Sequence, residues 1–263
     1  MLLVLKSTDE ELGREAARIV ANAVRRNPAL RLGLATGSTT LGMYNELGRL
    51  HKQYALDFSR VVTFNLDEYL GLPPEHAQSF HHFMHQNFFS NVNVDPKNIH
   101  IPDGAIVGNY DQYCCSYEQA IRDAGGIDLQ VLGIGRNGHI GFNEPTSSLG
   151  SRTRLKVLSK ETIDDNRKFF GPGEKIPECA ITMGIGTILE AKRILLLASG
   201  SSKAAAIANA IEGPLTASVT ASALQLHPDV TFIVDQEAGS QLKQKDYYHR
   251  VLEMTVALTP DRL

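Results

Sequence analysis

The chain has 263 residues, 43% of them hydrophobic and 21% charged, with a formal net charge of -3. That is ordinary for a globular protein and long enough for one large domain, but it lacks the basic excess that gripping a nucleic-acid backbone demands. No stretch approaches the ~20 apolar residues of a membrane span, and the opening apolar run is too short for a secretory signal.

Leu2–Leu5 reads as a first strand. Ser7 and Glu10 make an S-x-x-E capping signature, opening a helix whose Leu12, Ala16, Ile19 and Ala23 share one face. A second strand over Leu30–Ala35 runs into the glycine loop 36–40, and a helix follows from about Leu41 to His51. Val61–Leu66 is a third strand, ending at Asp67-Glu68-Tyr69. Helices are expected over 79–89 and 109–124, and a central strand over Asp128–Ile134 leads into a second glycine loop. Further strands are expected at 153–158, 193–198 and 229–235, with helices at 160–170, 184–191 and 201–212. Apolar strands alternating with helices imply an open α/β fold, Rossmann-like, with a mostly parallel sheet and helices on both faces. One domain over 1–263 is expected. Ligands bind outside the carboxyl ends of such strands, so loops 36–40, 67–69, 135–145 and 199–203 are the places for chemistry.

Thr36, Gly37, Ser38 and Thr39 combine close backbone approach, hydroxyl donors and a helix N-terminus, which suit an anion. The loop lacks the Lys of a nucleotide-triphosphate loop. Gly200-Ser-Ser-Lys203 repeats the arrangement with a cation, so two such loops favour a small phosphorylated ligand. Gly133-Ile-Gly-Arg-Asn-Gly138 matches the dinucleotide fingerprint, but Gly141, Pro145 and Gly150 forbid the helix that fingerprint needs. His139 suits proton transfer at neutral pH, with Asn137 and Glu144 near enough to orient it. Asp67 and Glu68 read either as a base facing the same crevice or as plain helix caps. Carboxylate and imidazole together supply what an aldose–ketose rearrangement requires. His81 and His85 stand one helical turn apart without the Glu of a zinc-protease helix, and Cys114, Cys115 and Cys179 make no disulfide framework. No metal and no cofactor are expected, and a reduced, cytoplasmic setting is.

The wording Leu34-Ala-Thr-Gly-Ser-Thr39, Val61-Val-Thr-Phe-Asn-Leu-Asp-Glu-Tyr69, Leu132 through Pro145, and Ser151-Arg-Thr-Arg154 closely resembles the glucosamine-6-phosphate deaminase family. The likeness runs in register from the first helix to about residue 240. It implies deamination of glucosamine 6-phosphate to fructose 6-phosphate and ammonia, in amino-sugar catabolism. By position, Asp67 resembles the family's C2 base and His139 its ring-opening acid/base, with Glu144 and Asn137 supporting the imidazole. Thr36, Gly37, Ser38, Thr39 and Lys203 match substrate and phosphate positions. Lys168 stands where many relatives carry an Arg on a mobile lid, here about 155–183, and Asn137 where many carry Asp. Ser147, Arg154 and Lys156 match the effector positions of allosteric hexameric relatives, while 241–263 resembles the family poorly. Homo-oligomerisation is therefore left open. The enzyme alternative is a 6-phosphogluconolactonase, which typically continues its His loop differently from Ile140-Gly-Phe-Asn-Glu-Pro145. A sugar-phosphate sensor is the non-enzyme alternative.

Overall fold

The computed structural model describes residues 1–259; the last four positions of the expected 1–263 domain lie outside the described residues. In chain order the strands are β1 (Leu2–Lys6), β2 (Arg31–Leu34), β3 (Val62–Asn65), β4 (Asp67–Tyr69), β5 (Ile99–His100), β6 (Leu129–Leu132), β7 (Arg154–Val157), β8 (Cys179–Thr182), β9 (Ile194–Ala198) and β10 (Val230–Asp235). The helices are α1 (Asp9–Arg26), α2 (Ser38–Tyr54), α3 (Phe80–Asn87), α4 (Tyr110–Asp123), α5 (Lys160–Asn166), α6 (Ile185–Leu189), α7 (Ala204–Glu212) and α8 (Lys245–Leu258).

Seven strands form a parallel sheet in the order β1-β10-β9-β6-β2-β3-β5. Its central strands are apolar on both faces, so both must be covered. Leu32, Leu34, Val131, Leu195 and Leu197 meet α1 and α2 on one side. Leu132, Leu196, Phe232 and Val234 meet α4, α6 and α7 on the other. α1 starts one residue later than its sequence signature suggests. Thr8, not Ser7, is the cap: its hydroxyl accepts from the Glu11 amide at 3.2 Å, while Glu11 reaches back to the Ser7 amide at 3.0 Å.

A second, antiparallel sheet, β4-β8-β7, is absent from the sequence reading. The strand expected at 153–158 belongs to it rather than to the parallel sheet, and β8 was not anticipated at all. Asp67 and Glu68 do not end β3. They begin β4 after Leu66, where the chain leaves the main sheet and pairs with Ala180–Thr182. The helix expected over 160–170 is α5 followed by a 3-10 turn, Arg167–Phe169, and that over 201–212 is a 3-10 turn, Ser201–Lys203, followed by α7.

Candidate active site

Strand order fixes where a ligand can enter. β2, β3 and β5 are laid down in one direction and β6, β9 and β10 in the other, so the loops leaving β2 and β6 diverge at the sheet's switch point. A cleft of about 530 Å³ opens there. Thr36, Gly37, Ser38 and Thr39 line one wall, and Asp67, His139, Lys168 and Lys203 line the others. Eight of the expected site residues thus share one cavity. Asn137 and Glu144 stand behind His139, and Ser147, Arg154 and Lys156 lie outside the lining.

The wall at α2 is built for an anion. Gly37, with φ +126°, turns the chain into the helix and supplies no side-chain cap. The first-turn amides of a 17-residue helix therefore lack a side-chain acceptor. The loop after β9 works differently from expectation. The Gly200 amide is taken by Asp235 at 2.9 Å and the Ser201 amide by Glu237 at 3.1 Å. What remains for a ligand is Ser202 and the Lys203 ammonium, whose pKa is lowered by burial, with Asp165 opposing. Lys168 reaches the cleft from the turn after α5, its Nζ 5.0 Å from the Phe169 ring centre.

β6 stops at Leu132 and the His139 imidazole stands seven residues on, in the loop. Its Nδ1 lies 2.7 Å from Asn137 Oδ1, and Asn137 Nδ2 donates to Glu144 Oε2 at 3.2 Å. Asn137 is thus inserted between ring and carboxylate. Glu144 Oε2 lies 3.5 Å from Nδ1, and its other oxygen accepts from the Ser159 amide at 3.2 Å, at the cap of α5. Burial works to raise the Glu144 carboxyl, but the His139 ring and the Thr162 hydroxyl beside it hold it down at about 2. Because Glu144 only accepts, Asn137 must turn its nitrogen toward it and its oxygen toward the ring. An amide oxygen also only accepts, so Nδ1 carries the proton and Nε2 is left free. The ring lies directly on Gly135, where a Cβ would sit 2.5 Å from both ring nitrogens.

Asp67 faces His139's loop from β4. It is 6% exposed, and a Cβ on Gly141, two residues past His139, would come within 3.4 Å of its Oδ2. Tyr69, Phe80 and Phe142, with ring centres 4.8–5.8 Å apart, line the cleft beside it. Burial, with the neighbouring Glu68 charge adding to it, pushes the Asp67 carboxyl up to about 8. Glu68 points the other way, as the next residue on a strand must. Its carboxylate accepts the Tyr69, Phe80 and His81 amides at 2.8–2.9 Å, capping α3, and it does not line the cleft. Of that carboxylate pair, Glu68 is the helix cap and Asp67 alone lines the cleft.

Sequence reasoning missed the aromatic wall and two charges, Arg136 and Asp165, that also line the cleft. Tyr69 comes from β4, Phe80 from the start of α3 and Phe142 from the loop after β6, so they carry no local pattern. Arg136 was visible only as a variable position inside the glycine motif. Two of the residues expected at effector positions sit behind the His loop: Arg154 Nη1 donates to Asn143 Oδ1 at 2.9 Å, while Arg154 Nη2 and the Ser147 hydroxyl are buried without a hydrogen-bond partner among the described residues.

Comparison with known proteins places the chain in a family. The family model described as glucosamine-6-phosphate isomerases/6-phosphogluconolactonase matches residues 6–232. A glucosamine-6-phosphate deaminase of Thermoanaerobacter pseudethanolicus is 50% identical over 246 residues, covering 94% of this chain and 97% of that one. One of Hahella chejuensis is 49% identical over 256 residues, covering 97% of each. A solved monomeric glucosamine-6-phosphate deaminase superposes with a TM-score of 0.89 at 45% identity, over 92% of this chain and all of its own. The 6-phosphogluconolactonase of Trypanosoma brucei, at 18% identity and a TM-score of 0.72 over 92% of this chain and 98% of its own, shares the fold. The chain belongs to the glucosamine-6-phosphate isomerase/6-phosphogluconolactonase family.

Proposed function

We propose that this protein is a glucosamine-6-phosphate deaminase, converting glucosamine 6-phosphate and water to fructose 6-phosphate and ammonia. The observation that carries the reading is the convergence of a buried carboxylate, Asp67, and a tautomer-fixed imidazole, His139, on one cleft that also holds Lys168 and Lys203. The cations and the α2 amides anchor the phosphate. Nε2 of His139 takes the proton from the anomeric hydroxyl and returns it to the ring oxygen, opening the sugar. Asp67 then removes the proton from C2 and delivers it to C1. A base whose pKa is held near 8 is better matched to a carbon acid than an ordinary carboxylate. The resulting C2 imine adds water and expels ammonia, leaving the ketose. No step draws on a cofactor or metal ion.

The segment between β7 and β8 carries α5 and Lys168 and, as the lid, closes over the phosphate end of the sugar. A cytoplasmic setting fits the three free cysteines, and among the described residues no helix is long and apolar enough to cross a membrane. The buried, unpartnered Ser147 hydroxyl and Arg154 Nη2, with Lys156, support an effector position behind the His loop. Arg154→Ala would then turn sigmoidal kinetics hyperbolic, whereas hyperbolic wild-type kinetics with no response to N-acetylglucosamine 6-phosphate would remove that role.

Ammonia release tests the main reading. Stoichiometric ammonia and fructose 6-phosphate from glucosamine 6-phosphate are expected. Hydrolysis of 6-phosphogluconolactone with no ammonia from the aminosugar would replace the deaminase by a lactonase.

A further inference from the structure

The cationic corner of the cleft contains a carboxylate. Lys203 comes from the turn before α7, Lys168 from the turn after α5, and Arg136 from the loop after β6; all three line the cavity. Asp165, on α5, lines it too, and its Oδ1 holds Arg136 Nη2 at 2.9 Å, with Glu161 one turn earlier at 3.5 Å. Lys203 feels Asp165, Arg136 and Lys168 together. Among the described residues neither lysine has an ion-pair partner of its own. One of the cleft's three cations is therefore committed to an internal anion, at the place where an incoming dianion needs positive charge. Arg136 is 49% and Asp165 40% exposed at their side chains, and ion pairs that open exchange readily.

We infer that Asp165 is the resident counter-ion of the phosphate corner and Arg136 its exchangeable third cation, a pair of positioning residues that sets affinity for the phosphate end of the substrate. The assignment rests on the phosphosugar reading above. Asp165 holds Arg136 and with it the lid helix α5. A bound phosphate takes Arg136 over, with the bidentate contact that neither lysine can give. The sign of each substitution follows. Neutralising Asp165 removes a competitor for the cation, so phosphate binds more tightly. Neutralising Arg136 removes the contact, so phosphate binds more weakly.

Calorimetric titration of the full chain with inorganic phosphate tests the pair without reference to turnover, for wild type, Asp165→Asn, Arg136→Gln and the double variant. Asp165→Asn should tighten phosphate roughly threefold to tenfold and Arg136→Gln weaken it by about tenfold, the range expected for one partly screened charge. In the Arg136→Gln background the Asp165→Asn gain should shrink. KM for glucosamine 6-phosphate should follow phosphate affinity while kcat stays within about twofold, a split that loss of local structure would not produce. Unchanged or weaker phosphate binding in Asp165→Asn, or a wild type that binds no phosphate, overturns the pairing. A wild type that binds phosphate with the expected variant pattern but releases no ammonia sinks the deaminase reading alone.

Discussion

Gly135→Ala is the most revealing small change in this site. Gly135 does not adopt a left-handed φ, so alanine meets no backbone strain there. Its Cβ, however, would stand 2.5 Å from Nδ1 and Nε2 of His139, where ordinary contact needs about 3.4 Å. The ring must therefore retreat by roughly 1 Å, and a misplacement of that size can cost about a hundredfold in rate. The retreat is open to it, because the side chain is 17% exposed and faces the cleft. Stability should fall by no more than about 1–2 kcal/mol, since the displaced ring moves toward solvent and no buried cavity opens. The assay is steady-state ammonia release with a melting curve alongside. We expect kcat to fall about a hundredfold, KM to change by less than about threefold, and the fold to persist. A variant with kcat within about threefold of wild type would refute the reasoning that the glycine exists to seat the imidazole.

Two further outcomes follow from the same geometry. Asp67 has a folded pKa of about 8 against an ordinary 3.8, so between those values the folded chain holds a proton the unfolded chain has lost and stability falls as pH rises. Asp67→Asn should thus melt above wild type at pH 9 and level with it at pH 4; equal melting at both would deny the burial cost. Lys168→Arg gains a planar fork at the phosphate end and should lower KM several-fold with kcat unchanged, while an unchanged KM would place Lys168 away from the phosphate.

Six of the parallel sheet's seven strands were legible because they are continuous apolar runs and the helices carry apolar stripes; β5, two residues long, was not. Nor was the small sheet. β4 has three residues and β8 four, too short for a period to show. That hid how Asp67 is aimed: not by the end of β3 but by pairing with Thr182 across β8. α8 was missed for another reason: none of its residues is fully buried, and only the half-buried Tyr248, Val251 and Leu252 pack on the core. The imidazole loop was readable from Asn137, His139 and Glu144 in one short stretch, although the order of contact, with Asn137 in the middle, is set by the loop's fold. Arg136 and Asp165 lie on separate elements and meet only across the cleft, so no local pattern joins them.

The account stands on Asp67 being the base that works at C2 of a sugar held elsewhere in the cleft. Turnover and binding measured together on Asp67→Asn test that directly, using glucosamine 6-phosphate for ammonia release and glucitol 6-phosphate as a non-reacting open-chain probe. Ammonia release should fall by at least about three orders of magnitude while probe affinity stays within about threefold of wild type. Turnover within tenfold of wild type, or loss of probe binding equal to the loss of rate, would contradict it.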